Sequence, residues 1–294
     1  MMADSKQSYE IEVQDVEYLR HGDQPLLARN YKPRGKGPFP IVVDVHGGAW
    51  CRKDRTSDVA TDEALARSGA IAVALDFRMP PDAKYPGSLM DINYAVRWCK
   101  AHAAELGSSP DKVALLGVSS GGHQALLTAM RPTDARYASI PLYEAPDVDA
   151  SVPCVILCWP VVDPLKRYAH AQQLKRDGNK LGDQWVAAHD AYWAVEDEMG
   201  EGNPKLALDR GEAVRTPPLL YLQGTADMAH PVVSRDEFIA GYRKAGGSVE
   251  LHLFEGMGEA FITNDPTAAE SLRALEKIVA FVHKQLGSGS SDRQ

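Results

Sequence analysis

No stretch of this sequence approaches the ~18–20 consecutive apolar residues that span a bilayer, and no Lys/Arg-rich run occurs in it. The opening MMADSKQSYE lacks the apolar core of a secretory leader. Across 294 residues the formal charge is −8, so there is no basic surplus to neutralise phosphates, which argues against a nucleic-acid partner. The four cysteines (Cys51, Cys99, Cys154, Cys158) form no disulfide framework; Cys154 and Cys158 sit in the apolar CVILCW and read as buried thiols. No His/Cys/carboxylate group has metal-ligand spacing, so neither a metal nor an organic cofactor is implied. Together these absences point to a cytoplasmic protein with neither a nucleic-acid nor a membrane partner.

What is present is the composition of an ordinary globule, 44% apolar and 24% charged. The segment YEIEVQDVEYLRHGDQPLLARNYKP reads as two extended stretches around a turn, an antiparallel hairpin at a sheet edge. Short apolar runs then recur: IVVDV, IAVAL, VALLGV, CVILCW, LLYLQG and VELHLF. Most are apolar at consecutive positions, as strands covered on both faces must be. Helical spacing lies between them, from Ser88 to Leu106, from Gly121 through HQALLTAM, over about 232–244, and along AAESLRALEKIVAFVHKQL. This alternation predicts an α/β fold with a mostly parallel, doubly wound sheet. The expected organisation is a single domain over 1–286, with a helical lid at about 132–215 and a disordered tail at 287–294.

Gly117-Val118-Ser119-Ser120-Gly121 ends an apolar run and opens a helix. That strand–turn–helix context is what a G-x-S-x-G nucleophile turn requires, because side chains at 117 or 121 would collide with neighbouring backbone. The N–H of Ser120 then opens the helix beside the hydroxyl, where the helix dipole favours negative charge. His46-Gly47-Gly48-Ala49-Trp50 follows an earlier strand, and its glycines let N–H groups of Gly47 and Gly48 approach a developing oxyanion. His46 itself reads as a structural histidine bonded to loop backbone.

With these motifs, HGGAW, DFRMPPDAKYPGSLMDINYAVRW, LLGVSSGG and LLYLQGTADMAHP, the chain resembles the esterase/lipase branch of the α/β-hydrolase superfamily. It is most similar to the hormone-sensitive-lipase-like and feruloyl-esterase-like groups, over about residues 38–285. The resemblance implies an α/β-hydrolase fold, Ser119 as nucleophile, Gly47, Gly48 and Ser120 as oxyanion donors, Asp227 as the acid of the triad, and a structural role for Asp91. The order Ser119…Asp227 agrees with that of the superfamily.

The family's histidine is expected in a phrase like G-x-x-H-x-F. Here LFEGMGEAF puts Glu259 in that slot, and no histidine lies between His252 and His283. His252 falls within a strand pattern and His283 near a helix end, so neither fills the role. His230, three residues after Asp227, is the best substitute on proximity, although the resemblance makes its position a loop-packing one. A carboxylate is about two units less basic than imidazole, or roughly 3 kcal/mol. In that slot Glu259 would lie beside Asp227, so one of the pair would be pushed up and the two could share a proton, acting together as the proton-handling pair for Ser119, as in Ser-Glu-Asp peptidases.

The expectation is therefore a serine-hydrolase-type enzyme acting on a small-molecule carboxylic ester or lactone, weakened or altered by Glu259. The alternatives are a non-hydrolytic ligand-binding protein, as in the plant gibberellin receptors that also lack the histidine, or a repurposed lyase, cyclase or isomerase. Trp50, His123, Trp185 and Trp193, with Tyr192, are candidate pocket residues, with core packing as the competing reading. The exposed last strand and terminal helix offer a surface on which two chains could pair.

Overall fold

The computed structural model describes residues 8–287; the tail expected to be disordered lies almost wholly outside them. The elements in order are β1 (Ile11–His21), β2 (Gln24–Pro33), β3 (Ile41–Val45), α1 (Val59–Arg67), β4 (Ile71–Leu75), α2 (Gly87–Ala101), the single turn α3 (Ala103–Leu106), β5 (Val113–Val118) and α4 (Ser120–Met130). They continue with β6 (Val155–Cys158), α5 (Pro164–Arg176), α6 (Lys180–Tyr192), α7 (Glu196–Glu201), α8 (Pro204–Asp209), β7 (Leu219–Gly224), α9 (Val232–Lys244), β8 (Val249–Phe254), α10 (Phe261–Asn264) and α11 (Ala269–Leu286).

One eight-stranded sheet runs β1-β2-β4-β3-β5-β6-β7-β8. The β1–β2 hairpin joins antiparallel to β4, and every pairing from β4 to β8 is parallel. This is the α/β-hydrolase architecture. The consecutive apolar runs have a direct cause. Ile41, Val43 and Val45 of β3 pack with α2, α4 and α9 on one face, whereas Val42, with Ala72, Ala114 and Leu116 of the neighbouring strands, packs with α1 and α11 on the other. Both faces are dry, so the alternation of a half-exposed strand has no place. Each such Val, Leu or Ile side chain contributes about 1.5–3 kcal/mol on burial, and these strands hold the loops at their carboxyl ends in fixed positions. Cys99, Cys154 and Cys158 are buried free thiols in this core.

Two differences from the sequence reading concern boundaries. The helix expected over 88–106 divides at His102, and Gly107, at φ 87°, stops the chain in the left-handed region. The insertion expected over 132–215 is interrupted by β6, a central strand between β5 and β7. Residues 131–154 lead into the amino end of β6, and only α5–α8 follow its carboxyl end. The loss of hydrophobic rhythm therefore merged two connections separated by a strand of only four residues.

Candidate active site

Four strand ends supply the site. At the carboxyl end of β5, Ser119 has φ 54° and ψ −117°, a region that costs a non-glycine residue free energy and recurs at functional turns. The surrounding backbone holds it there: Ser119 N–H donates to the Cys158 carbonyl at 2.9 Å, and its own carbonyl accepts from Val161 N–H at 3.1 Å. The glycines make the turn possible. A Cβ on Gly121 would stand 2.0 Å from the Val45 carbonyl oxygen, and one on Gly117 would stand 2.5 Å from that of Gly121.

The loop after β3 lies against this turn. A Cβ on Gly47 would stand 3.2 Å from the Ser119 Cβ, and Gly48 has φ 105°. Trp50 N–H donates to Ser120 Oγ at 3.0 Å, tying the two loops together. The N–H groups of Gly47, Gly48 and Ser120 have no acceptor among the described residues, so they are free to receive an anion. His46 takes the structural place expected of it: Nδ1 donates to the Gly47 carbonyl at 2.8 Å and the ring stacks on Phe77 at 4.3 Å. Burial pushes it down to about 4, so it stays neutral.

The loop after β7 carries Asp227 and His230. Asp227 Oδ1 accepts from the N–H groups of Ala229 and His230 at 2.8 and 3.2 Å. Its Oδ2 accepts from Gln223 Nε2 at 3.2 Å and from His230 Nδ1 at 2.8 Å. Burial pushes the Asp227 carboxyl up, but the His230 charge and these hydrogen bonds outweigh it and hold the group below its ordinary value. With Nδ1–H given to Asp227, the His230 lone pair is on Nε2, and that atom lies 3.5 Å from Ser119 Oγ. Gln223 is buried and also donates to the His230 carbonyl at 3.0 Å, which fixes the loop from below.

The loop after β8 brings Glu259. Its Oε1 accepts from the Ser119 hydroxyl at 2.9 Å. The Met257 carbonyl accepts from Ala226 N–H at 2.9 Å, so the loops carrying Asp227 and Glu259 are joined. The expected sharing of a proton between Asp227 and Glu259 is not found. His230 fills the Asp227 carboxylate, and Glu259 instead meets the hydroxyl. A histidine therefore does touch the serine, from the loop-packing position. The D-x-x-H spacing carried that signal, because a turn whose N–H groups close on the Asp227 side chain brings residue 230 back beside it.

The candidate pocket residues separate clearly. Trp185 lines a cavity of about 370 Å³ with Ser119, Glu259 and Arg167. Trp50, Tyr192 and Trp193 belong instead to a buried aromatic core under the inserted helices, with Trp50 stacked on Tyr192 at 5.4 Å. His123 is packed there too: it accepts from Trp50 Nε1 at 3.2 Å and donates from Nε2 to the Gly202 carbonyl at 2.7 Å. Asp91 is buried and paired with Arg78 at 2.8 Å and His21 at 2.8 Å, far from Ser119 in its contacts. Arg167 gave no signal in the sequence, being one of several basic residues in a polar segment.

Comparison with known proteins agrees with this fold. The BD-FAE family model matches residues 30–238, which include Gly47, Gly48, Ser119, Asp227 and His230 but not Glu259. The probable carboxylic ester hydrolase LipM of Mycobacterium tuberculosis is 36% identical over 272 residues, 86% of this chain and 57% of LipM. Esterase LipC of the same organism is 31% identical over 249 residues, 82% of this chain and 58% of LipC. The chain thus spans little more than half the length of these curated relatives. Among solved structures, Thermogutta terrifontis esterase 2 superposes with a TM-score of 0.71 at 25% identity, covering 95% of each chain. The Pyrobaculum calidifontis esterase superposes with a TM-score of 0.75 at 22% identity, covering 94% of this chain and 87% of that one. The chain belongs to the BD-FAE family, in the esterase branch of the α/β-hydrolase superfamily.

Proposed function

We propose that the protein hydrolyses a small-molecule carboxylic ester or lactone through an acyl-enzyme on Ser119. The observation that carries this reading is the line from Asp227 through His230 to Ser119 Oγ, with contacts of 2.8 and 3.5 Å. Ser119 Oγ attacks the carbonyl carbon while its proton passes to His230 Nε2, and the carbonyl π pair moves onto oxygen. The N–H groups of Gly47, Gly48 and Ser120 hold that oxyanion; one such donor is worth about 2.7–4 kcal/mol. As the intermediate collapses, the alcohol leaves with the proton from His230. Water then attacks the acyl-enzyme by the same route and releases the acid. Asp227 orients the imidazole and stabilises its cation, and Gln223 positions Asp227.

Glu259 acts on this sequence in two opposing ways. It draws the resting hydroxyl proton at 2.9 Å and its charge favours the imidazolium, but the same charge opposes the oxyanion. The net effect is a serine hydrolase re-tuned by Glu259, with His230 as its base. Turnover of p-nitrophenyl acetate and butyrate tests the proposal: hydrolysis that vanishes in Ser119→Ala supports it. Hydrolysis that survives that substitution removes the nucleophile.

A further inference from the structure

The inserted helices contribute one charge that the chemistry above leaves unused. Arg167, in the first turn of α5, is only 2% exposed. Its guanidinium lies over the rings of Trp185 and Trp50 at 5.1 and 5.6 Å. No carboxylate oxygen lies within ion-pair distance of it among the described residues, and its buried Nε has no partner. Among the described residues, the one polar atom within hydrogen-bond range of its guanidinium is His189 Nδ1, at 3.5 Å from Nη1. That ring nitrogen, however, also stands 2.9 Å from the Trp185 carbonyl oxygen, which requires a proton on Nδ1, so it cannot accept from the guanidinium. Burial pushes Arg167 down to about 10, with Glu259 and Asp227 acting against that shift without touching it; it therefore remains a cation. A buried cation lacking an anion is costly unless something supplies the anion.

The cavity it lines supplies the place. Arg167 shares the 370 Å³ space with Ser119, Trp185, Arg52, Lys53 and Glu259. Three cations against one carboxylate face the nucleophile of a chain whose formal charge is −8, so the local sign is opposite to that of the whole molecule. Arg52 and Lys53 are exposed and attract an anion from solvent, whereas Arg167, dry and stacked, is suited to hold a planar carboxylate through paired N–H donors.

Building on the ester-hydrolase reading, we infer that the substrate is a small ester bearing a free carboxylate, and that Arg167 binds that carboxylate in the Ser119 cavity. The acyl and alcohol halves are equivalent sources of this anion, so the test has two arms. In the first, kcat/KM is compared for mono-p-nitrophenyl succinate or glutarate and for neutral p-nitrophenyl butyrate. In the second, 4-acetoxybenzoate is compared with phenyl acetate. The native protein should favour the anionic member of at least one pair by about 10- to 100-fold. Arg167→Gln should collapse that ratio toward unity, chiefly through KM, and Arg167→Lys should restore part of it. Independently of turnover, succinate or 4-hydroxybenzoate should raise the Tm of the native protein and not that of Arg167→Gln. Neutral esters turned over with no anionic preference in either arm would overturn this inference alone. An equal loss on neutral and anionic esters in both variants would make Arg167 a counter-charge for Glu259 and Asp227 and overturn it as well. Absence of all serine-dependent turnover, with the Tm shift intact, would instead overturn the hydrolase reading and leave the anion site standing.

Discussion

Replacing His230 by alanine separates the two groups that touch the Ser119 hydroxyl, and the size of the effect can be bounded. Removal of the base in a related serine hydrolase costs on the order of a millionfold in turnover. Here Glu259 remains 2.9 Å from the oxygen and can accept the proton in place of imidazole. Its chemical type is about two units less basic, roughly 3 kcal/mol or a hundredfold, and among the described residues no carboxylate backs it as Asp227 backs His230. His230→Ala should therefore lose about 10³- to 10⁵-fold in kcat, between those limits, with KM little changed. Glu259→Gln keeps an acceptor for the hydroxyl and removes a charge whose two effects oppose, so it should stay within about tenfold of the native rate. The double variant should fall to the Ser119→Ala floor. Glu259→His should gain little, because an imidazole already faces the serine. The assay is p-nitrophenyl butyrate hydrolysis near neutral pH, with Ser119→Ala as background. A larger loss in Glu259→Gln than in His230→Ala, or a gain of several orders of magnitude in Glu259→His, would refute the assignment of His230 as base.

Other expectations follow from packing and buried charge. Asp44, Asp58 and Asp62 are buried near one another, and burial first, then their mutual repulsion for Asp44 and Asp62, raises their carboxyls above the ordinary value. At these sites the folded state holds protons that the unfolded chain has released, so their contribution to stability is greatest below the unfolded value near 3.8 and is lost as pH rises through the folded values. Asp62→Asn should flatten the fall in Tm between pH 4 and pH 8; an unchanged slope would contradict the raised carboxyl. Gly121→Ala places a Cβ 2.0 Å from the Val45 carbonyl oxygen and should cost about 3 kcal/mol or more, seen as a Tm lower by roughly 6–12 °C together with loss of activity. Trp193→Ala should destabilise by about 3–5 kcal/mol in denaturant unfolding. Trp185→Ala, at the cavity wall, should chiefly raise KM; the reverse pattern would exchange their roles.

The central strands of the sheet were legible because they are covered on both faces. IVVDV, IAVAL and VALLGV coincide with the fully buried β3, β4 and β5, since only largely aliphatic runs fit between two helical layers, whereas VELHLF coincides with β8, an edge strand that is only partly buried. The turn at Ser119 was legible for a related reason: its glycines stand where a Cβ would strike backbone, and that steric demand is written in the sequence itself. Helix α1 gave no expectation, because VATDEALAR buries only a narrow face. The site was less legible where it depends on how loops fold back. The frame GMGEAF located Glu259 against the serine, but whether Asp227 would meet Glu259 or His230 turned on the hydrogen bonds that wrap residues 227–230 around one carboxylate. Arg167 was invisible because its burial is created by Trp50 and Trp185, residues brought to it from β3's loop and from α6.

The most direct measurement is the rate and site of covalent labelling by a fluorophosphonate, followed by intact mass and peptide mapping. One phosphonyl group should appear on Ser119, at a rate reduced by at least about a thousandfold in His230→Ala and largely retained in Glu259→Gln. Labelling at another residue, or at Ser119 with no dependence on His230, would contradict the account.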